Sequence, residues 1–269
     1  MSKVKQVLTI AGSDSGGGAG MQADLKTFQE RDVFGMSVIT AVTAQNTLGV
    51  QGVHPVPLDM VENQWQSVIS DFDVSAIKTG MLVNGDYMTL VAKLYRDYPH
   101  IPLVIDPVMI AKGGHSLMAE EAVRVMKETL APLATVITPN IPEAEALTGL
   151  EIRNKDDMKQ AAYQLKEMGV KNVVIKGGHS DDQNVSEDFL LLESGKEVWL
   201  SAERIETKDT HGTGCTFAAC IAAELAKDQD VEQAVRVAKE YIQAAITHGL
   251  AIGQGHGPTN HWAFRKEST

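Results

Sequence analysis

Short apolar runs alternate with longer amphipathic stretches along most of the chain. Residues 7–11, 37–44, 76–79, 103–106, 136–139 and 173–176 are rich in Val and Ile and apolar at successive positions, which predicts strands covered on both faces. Between most of them, 21–31, 60–70, 87–98, 120–130 and 156–168 place apolar residues three and four apart, the spacing of helices with one buried face. Such β/α alternation specifies a three-layer α/β/α fold around a mostly parallel central sheet. Near 187–206 the pattern changes to two strand-like runs, 189–193 and 198–202, flanking Ser194-Gly195-Lys196, and predicts a late antiparallel edge hairpin. The helix after Gly212-Thr213-Gly214 is apolar nearly all round through Ala226 and should be buried, whereas 231–248 carries a charged face and should lie outside. No repeat, linker or low-complexity stretch divides 1–269, which therefore reads as a single domain, with 265–269 expected to fray.

A chain of 269 residues with 43% hydrophobic content supplies the core such a domain needs. Twenty-four Lys and Arg against 35 Asp and Glu leave a net charge of −11, which argues against a nucleic-acid partner. No segment approaches the ~18 apolar residues of a membrane span, and the opening lacks the features of a signal peptide, so a cytoplasmic protein without membrane attachment is expected. Cys215 and Cys220 lie five apart on one predicted helix and face different directions, so no disulfide is expected between them.

The segment 209–216, Asp-Thr-His-Gly-Thr-Gly-Cys-Thr, places glycines immediately before a buried helix, where backbone N–H groups converge on an anion at its positive end. An ordinary glycine turn capping a helix is the plainer alternative. Cys215 would feel the helix dipole, which lowers a thiol pKa from ~8.5 and favours a thiolate able to take a proton from an attacking hydroxyl; Cys220 reads as a small core residue. Asn140 and Glu143, just past a strand end, suit a hydrated magnesium and its triphosphate, though an N-cap with a first-turn acid explains them too. Asp106 ends another strand as a second carboxylate, and Lys176 ends a third beside Gly177 and Gly178, as a nucleotide phosphate would require. The glycine loop 11–20 fits neither a dinucleotide fingerprint nor a P-loop, because the GxGxxG spacing and the P-loop lysine are missing. It can still bring backbone close to a flat substrate, with Asp24 ready to bond a hydroxyl or ring nitrogen. Gln45, at the end of the second strand, offers the donor and acceptor that an aminopyrimidine complements. Among the eight His there is no HExxH, and no GxSxG elbow occurs, so metallohydrolase and serine-hydrolase readings lack support.

Taken together, Ala11-Gly12-Ser13-Asp14, Gly17-Gly18-Ala19-Gly20, Gln22-Ala23-Asp24-Leu25-Lys26-Thr27, Thr138-Pro139-Asn140 with Glu143, Lys176-Gly177-Gly178-His179 and His211-Gly212-Thr213-Gly214-Cys215-Thr216 resemble the hydroxymethylpyrimidine/phosphomethylpyrimidine kinases of the ribokinase superfamily. The resemblance spans Leu8 to His261 and implies a ribokinase-like homodimer. It also implies ATP and Mg2+, with successive transfers to hydroxymethylpyrimidine and its monophosphate. By position, Gly12, Ala19, Asp24, Gln45, Met81 and Val108 would line the pyrimidine pocket. Asn140, Glu143, Lys176, Thr210 and Thr213 would serve the nucleotide, Glu143 and Asp106 the magnesium, directly or through water, and Gly212, Gly214, Cys215 and Lys176 the transfer itself. Cys215 stands where sugar-kinase relatives carry an Asp base, so a softer acceptor replaces a carboxylate there. The loop 111–116 reads equally as a flap over the phosphates or as a mere connection.

Two rivals remain. A pyridoxal or pyridoxine kinase would share the glycine loop and the Cys, while 43–47 and 212–215 look like the pyrimidine branch; a side activity on vitamin B6 compounds stays open. A non-catalytic binding domain has no need of a phosphate cradle, Asn140, Glu143 and Lys176 at once.

Overall fold

Each strand sends neighbouring side chains to opposite sides of one sheet, and this period of two builds two cores. The structure, a computed structural model, describes residues 4–109, 120–177 and 184–267. Among them the strands are β1 (Gln6–Ser13), β2 (Phe34–Asn46), β3 (Gly49–Pro55), β4 (Val74–Thr79), β5 (Leu103–Ile105), β6 (Val136–Ile137), β7 (Asn172–Ile175), β8 (Val185–Leu191) and β9 (Glu197–Glu203). They form a sheet in the order β3-β2-β1-β4-β5-β6-β7-β8-β9. From β2 to β7 all neighbours are parallel; β3 runs antiparallel to β2, and β8 and β9 turn back as the expected late hairpin.

On one face, Leu8, Ile10, Leu103, Ile105, Ile137, Val173 and Ile175 pack against α2 (Leu58–Ile69), α3 (Gly85–Tyr95), α5 (Ile141–Thr148) and α6 (Lys155–Glu167). On the other, Val7, Val104, Val136 and Val174 meet α1 (Gly20–Glu30), α7 (Thr213–Ala226) and α8 (Val231–Thr247). Helix α7 is buried from Thr216 to Ala226, as its all-round apolar sequence requires.

Three elements depart from the expected pattern. The helix expected over 120–130 is α4 (Glu120–Val125) followed by wider π-type turns at Met126–Leu130 and a 3-10 turn at Ala131–Leu133. Pro132 in that last turn has no N–H to continue an α-helix. Strand β3 was not anticipated: with Gly49, Gly52 and Pro55 among seven exposed residues, it has neither alternation nor a buried face to announce it. The tail, expected to fray, begins α9 (Ala263–Glu267), in which Arg265 bonds the Glu30 carbonyl at 3.2 Å and Asp32 at 2.8 Å.

Parallel pairing brings the carboxyl ends of β1, β4, β5, β6 and β7 to one edge of the molecule. There Asp106 and Lys176 directly follow Ile105 and Ile175. Because those two isoleucines belong to the first core, period-two alternation turns Asp106 and Lys176 toward α7.

Candidate active site

Helix α7 begins at Gly212, whose φ of +83° a side chain rarely adopts. A Cβ there would run into the Gly18 carbonyl oxygen, so the two glycine segments meet backbone to backbone. The chain reaches that contact because Asp14 folds the first loop around its carboxylate, which accepts N–H bonds from Gly16 (2.8 Å), Gly18 (3.0 Å) and Ala19 (2.8 Å). Thr213 Oγ1 donates to the Thr210 carbonyl at 3.2 Å, tying the first turn to the strand-side loop. Gly214 leaves the room that Lys176 Nζ and Asp106 Oδ2 occupy beside it. Lys176 and Asp106 are 3.1 Å apart, the carboxylate almost fully enclosed and the ammonium 18% exposed, so one cation is held at the mouth of the cradle.

Cys215 follows in the same turn, and burial pushes its thiol up to about 11 despite Lys78 nearby and the Gly20 N–H that points at its sulfur. The expected thiolate is therefore corrected: at neutral pH the group is S–H, because desolvation outweighs the helix dipole. Cys220 is fully buried, as expected.

Asn140, Lys176, Thr210, Thr213 and Gly214 line one cavity of about 770 Å³, whose walls also include Phe217, Ile242 and Ile246. Four of the five residues expected at the nucleotide, Asn140, Lys176, Thr210 and Thr213, thus share with Gly214 of the transfer set a space large enough for one, while Glu143 does not line it. Asn140 and Glu143 also form a reciprocal cap on α5, the Asn140 N–H donating to Glu143 and the Glu143 N–H to Asn140, both at 2.9 Å. Capping and cavity lining coexist in Asn140. Burial raises Glu143 to about 7; Lys176 pulls it down and Asp106 pushes it back up.

On the other side of the cradle, the terminal methyl of Met81 covers Gly12 and would have to shift to admit a Cβ there. Val108 is half-buried and donates its N–H to the Asp106 carbonyl at 2.9 Å, and Ala19 caps α1. Gln45 lies 3.3 Å from His211. Asp24 differs from the expectation of a carboxylate offered to the ligand: it is fully enclosed, accepting from Thr9 Oγ1 at 2.6 Å and paired with Lys78 at 2.9 Å. Lys78 is equally buried; desolvation pulls its ammonium down more than any one neighbour raises it, but Asp24 by charge and hydrogen bond, with Asp106 and Cys215, together hold it well above its ordinary value.

Sequence reasoning passed over Asp14, Lys78 and His211. Asp14, between Ser13 and Ser15 in a glycine loop, carries the signal of a carboxylate that organises backbone N–H groups. Lys78 interrupts an apolar strand, and a Lys there requires a buried partner. The loop 111–116 lies outside the described residues.

The family model for phosphomethylpyrimidine kinase matches residues 14–260 of this sequence. The chain belongs to the phosphomethylpyrimidine kinase family. The hydroxymethylpyrimidine/phosphomethylpyrimidine kinase of Haemophilus influenzae is 57% identical to this kinase over 268 residues, covering 99% of this chain and 100% of the relative. Among solved structures, a Bacillus subtilis pyridoxal kinase in an ADP complex matches at a TM-score of 0.91 with 42% identity, covering 98% of this chain and 99% of that one. A phosphomethylpyrimidine kinase from Clostridium difficile matches at 0.78 with 41% identity, covering 89% and 98%. The fold is thus ribokinase-like. Backbone shape does not separate the two activities in this family, since the vitamin B6 enzyme superposes at least as well as the pyrimidine enzyme; nor do the identities to these two structures, 42% and 41%, whereas the Haemophilus influenzae pyrimidine kinase reaches 57%.

Proposed function

We propose that this kinase transfers the γ-phosphoryl group of ATP to the hydroxymethyl oxygen of hydroxymethylpyrimidine, and a second one to the phosphate of the product, as thiamine biosynthesis requires. The observation that carries the reading is the position of the glycine cradle. It separates a nucleotide-sized cavity holding Lys176 and Asn140 from a polar corner holding Gln45.

In the transfer, the acceptor oxygen forms a bond to the γ-phosphorus while the bond to the bridging oxygen of ADP breaks in line, so positioning and charge neutralisation do most of the work. Lys176 meets the phosphoryl oxygens, and the N–H groups at Gly212 to Cys215 point into the space where charge develops. Cys215, a neutral thiol, adds a weak donor and no base. The proton of the hydroxymethyl acceptor leaves late, as the phosphorus–oxygen bond forms, and passes to an oxygen of the transferred phosphoryl group, while the second acceptor is already ionised.

The donor set suits magnesium: Asp106 and Glu143 offer carboxylate oxygens about one ammonium, and Glu143, raised first by burial and then by Asp106, would be drawn back to its ionised form by a cation. Among the described residues no three metal-ligating side chains cluster, so the ion would be held partly through water. When bound, it neutralises phosphate charge. The ADP complex of the pyridoxal kinase supports an adenine nucleotide as the donor here. A homodimer in the cytoplasm completes the proposal.

The test is incubation with magnesium-ATP and hydroxymethylpyrimidine, with pyridoxal in parallel, and mass spectrometry of the products. Mono- and then diphosphorylated pyrimidine is the expected result. Pyridoxal phosphate as a minor product fits a side activity, for which the 42% identity to a pyridoxal kinase is the supporting observation; pyridoxal phosphate alone would overturn the reading.

A further inference from the structure

His211 stands where the two glycine segments meet, and its Nε2 has two polar neighbours. One is Asp14 Oδ2 at 2.9 Å, the other the Gln45 side-chain amide, whose nitrogen is 3.3 Å away. Asp14 is 3% exposed. Burial alone would raise its carboxyl, yet the His211 bond and the N–H groups of Ala19 and Gly16 together hold it below its ordinary value. An ionised carboxylate only accepts, so His211 Nε2 carries a proton and donates it to Asp14.

A protonated Nε2 has one proton and no lone pair, so it cannot accept from the Gln45 NH2 and can only share its proton, held chiefly by Asp14, with the Gln45 oxygen in a weaker second contact. The opposite end of the amide gives the same instruction. Its oxygen lies 3.3 Å from Thr43 Oγ1, whose single proton is committed to the Ser13 carbonyl at 2.7 Å. Thr43 therefore presents lone pairs, which call for an N–H. A half-turn of the amide exchanges its oxygen and nitrogen within the same volume and satisfies both neighbours at once.

We infer that His211, its Nε2 proton fixed by Asp14, is a positioning residue that orients the Gln45 amide with Oε1 toward His211 and the NH2 toward Thr43, and thereby determines specificity for an aminopyrimidine. In that orientation one Oε1 lone pair and one N–H remain for a ligand, an acceptor beside a donor. An exocyclic amine next to a ring nitrogen complements that pair, and a ring bearing a hydroxyl and an aldehyde does not. The inference rests on the reading that Gln45 faces the pyrimidine. His211 also packs against Gly18, which has no side chain where the imidazole lies; a purely packing role is the alternative to exclude.

The test combines a spectroscopic readout on the unaltered protein with a double-mutant cycle. Two-bond 15N–1H correlations of the imidazoles, with His211→Asn to assign the signal, should show His211 with a proton on Nε2. A bare Nε2 with the proton on Nδ1 overturns the inference without reference to any activity. In the cycle, His211→Asn should weaken hydroxymethylpyrimidine about tenfold in KM while leaving the KM for ATP within about twofold, and in a Gln45→Ala background the same change should cost the pyrimidine less than about twofold. Equal losses in both backgrounds, or parallel losses for pyrimidine and ATP, assign His211 to packing alone and overturn the inference. Absence of pyrimidine turnover in the unaltered protein counts against the function proposed above, and the imidazole signal still decides the tautomer.

Discussion

A thiol at the first turn of a buried helix is subject to two opposed forces, and their relative size decides its chemistry. The helix dipole favours a thiolate, but desolvation of the half-buried Cys215, with Asp24 and Asp106 nearby, pushes the thiol up against the pull of Lys78, to about 11. Replacement by Ser, another small neutral hydrogen-bonding group, should accordingly lower kcat by no more than about tenfold and leave the KM for ATP within about twofold, since removal of a working base costs ~10²–10⁴. Steady-state kinetics checks this, and a thousandfold loss would restore Cys215 as the base. Asp24 is the converse case of a residue that looked chemical in sequence. With Lys78 beside it and both side chains sealed from water, Asp24→Asn strands a buried ammonium and should cost about 3–5 kcal/mol in urea unfolding. A loss below 1 kcal/mol, with pyrimidine KM raised instead, would return Asp24 to the ligand. The sequence showed each of these residues in the correct neighbourhood, but it does not record which partner a buried charge finds, because Asp24 and Lys78 are 54 positions apart.

At the scale of elements, strand ends and helix starts were legible because each has a local cause. Val- and Ile-rich runs have only one environment that suits both faces, and Gly212 has a backbone conformation that few other residues adopt. What was not legible is an element whose cause is remote: β3 forms because β2 offers an edge, and the break of the helix at Met126 depends on how Pro132 ends it. The start of α5 shows how an element can carry both a structural and a chemical duty. Its cap binds Glu143 into the backbone, and burial raises the carboxyl from 4.5 to about 7. Folding therefore favours the protonated acid. This stability is fully present below pH 4.5 and is lost as pH rises through about 7. Glu143→Gln keeps an acceptor for the Asn140 N–H and cannot ionise. Relative to that variant, the native protein without nucleotide should lose on the order of 2–3 kcal/mol between pH 4 and pH 8, read as diverging urea midpoints. Parallel profiles would mean that Glu143 ionises freely in the folded state.

For the whole molecule, the two edges of the sheet are unequal. At one edge β9 pairs with β8, and Val198 and Leu200 are buried. At the other, β3 is exposed at every position, with Val50 49% and Val53 52% exposed, beside Val42 at 50% and Leu48 at 68%. Among the described residues neither a charged side chain on β3 nor a covering helix protects this edge, although Pro55 blocks its end, and an unpaired apolar strand of this kind associates unless something covers it. The proposed homodimer supplies the cover. Light scattering should then give about twice the 29.1 kDa of one chain, and Val50→Lys with Val53→Lys should shift the population to monomer through repulsion across the pair. Tyr163→Lys, an exposed aromatic on α6 remote from β3, should leave the dimer intact. Because β3 continues directly from Gln45 and Asn46, dissociation should also raise the KM for the pyrimidine before that for ATP, whose cavity is built from the far half of the sheet. A monomeric native protein, or a dimer indifferent to charge on β3, would place the interface elsewhere and leave this edge to be protected by its twist and its glycines alone.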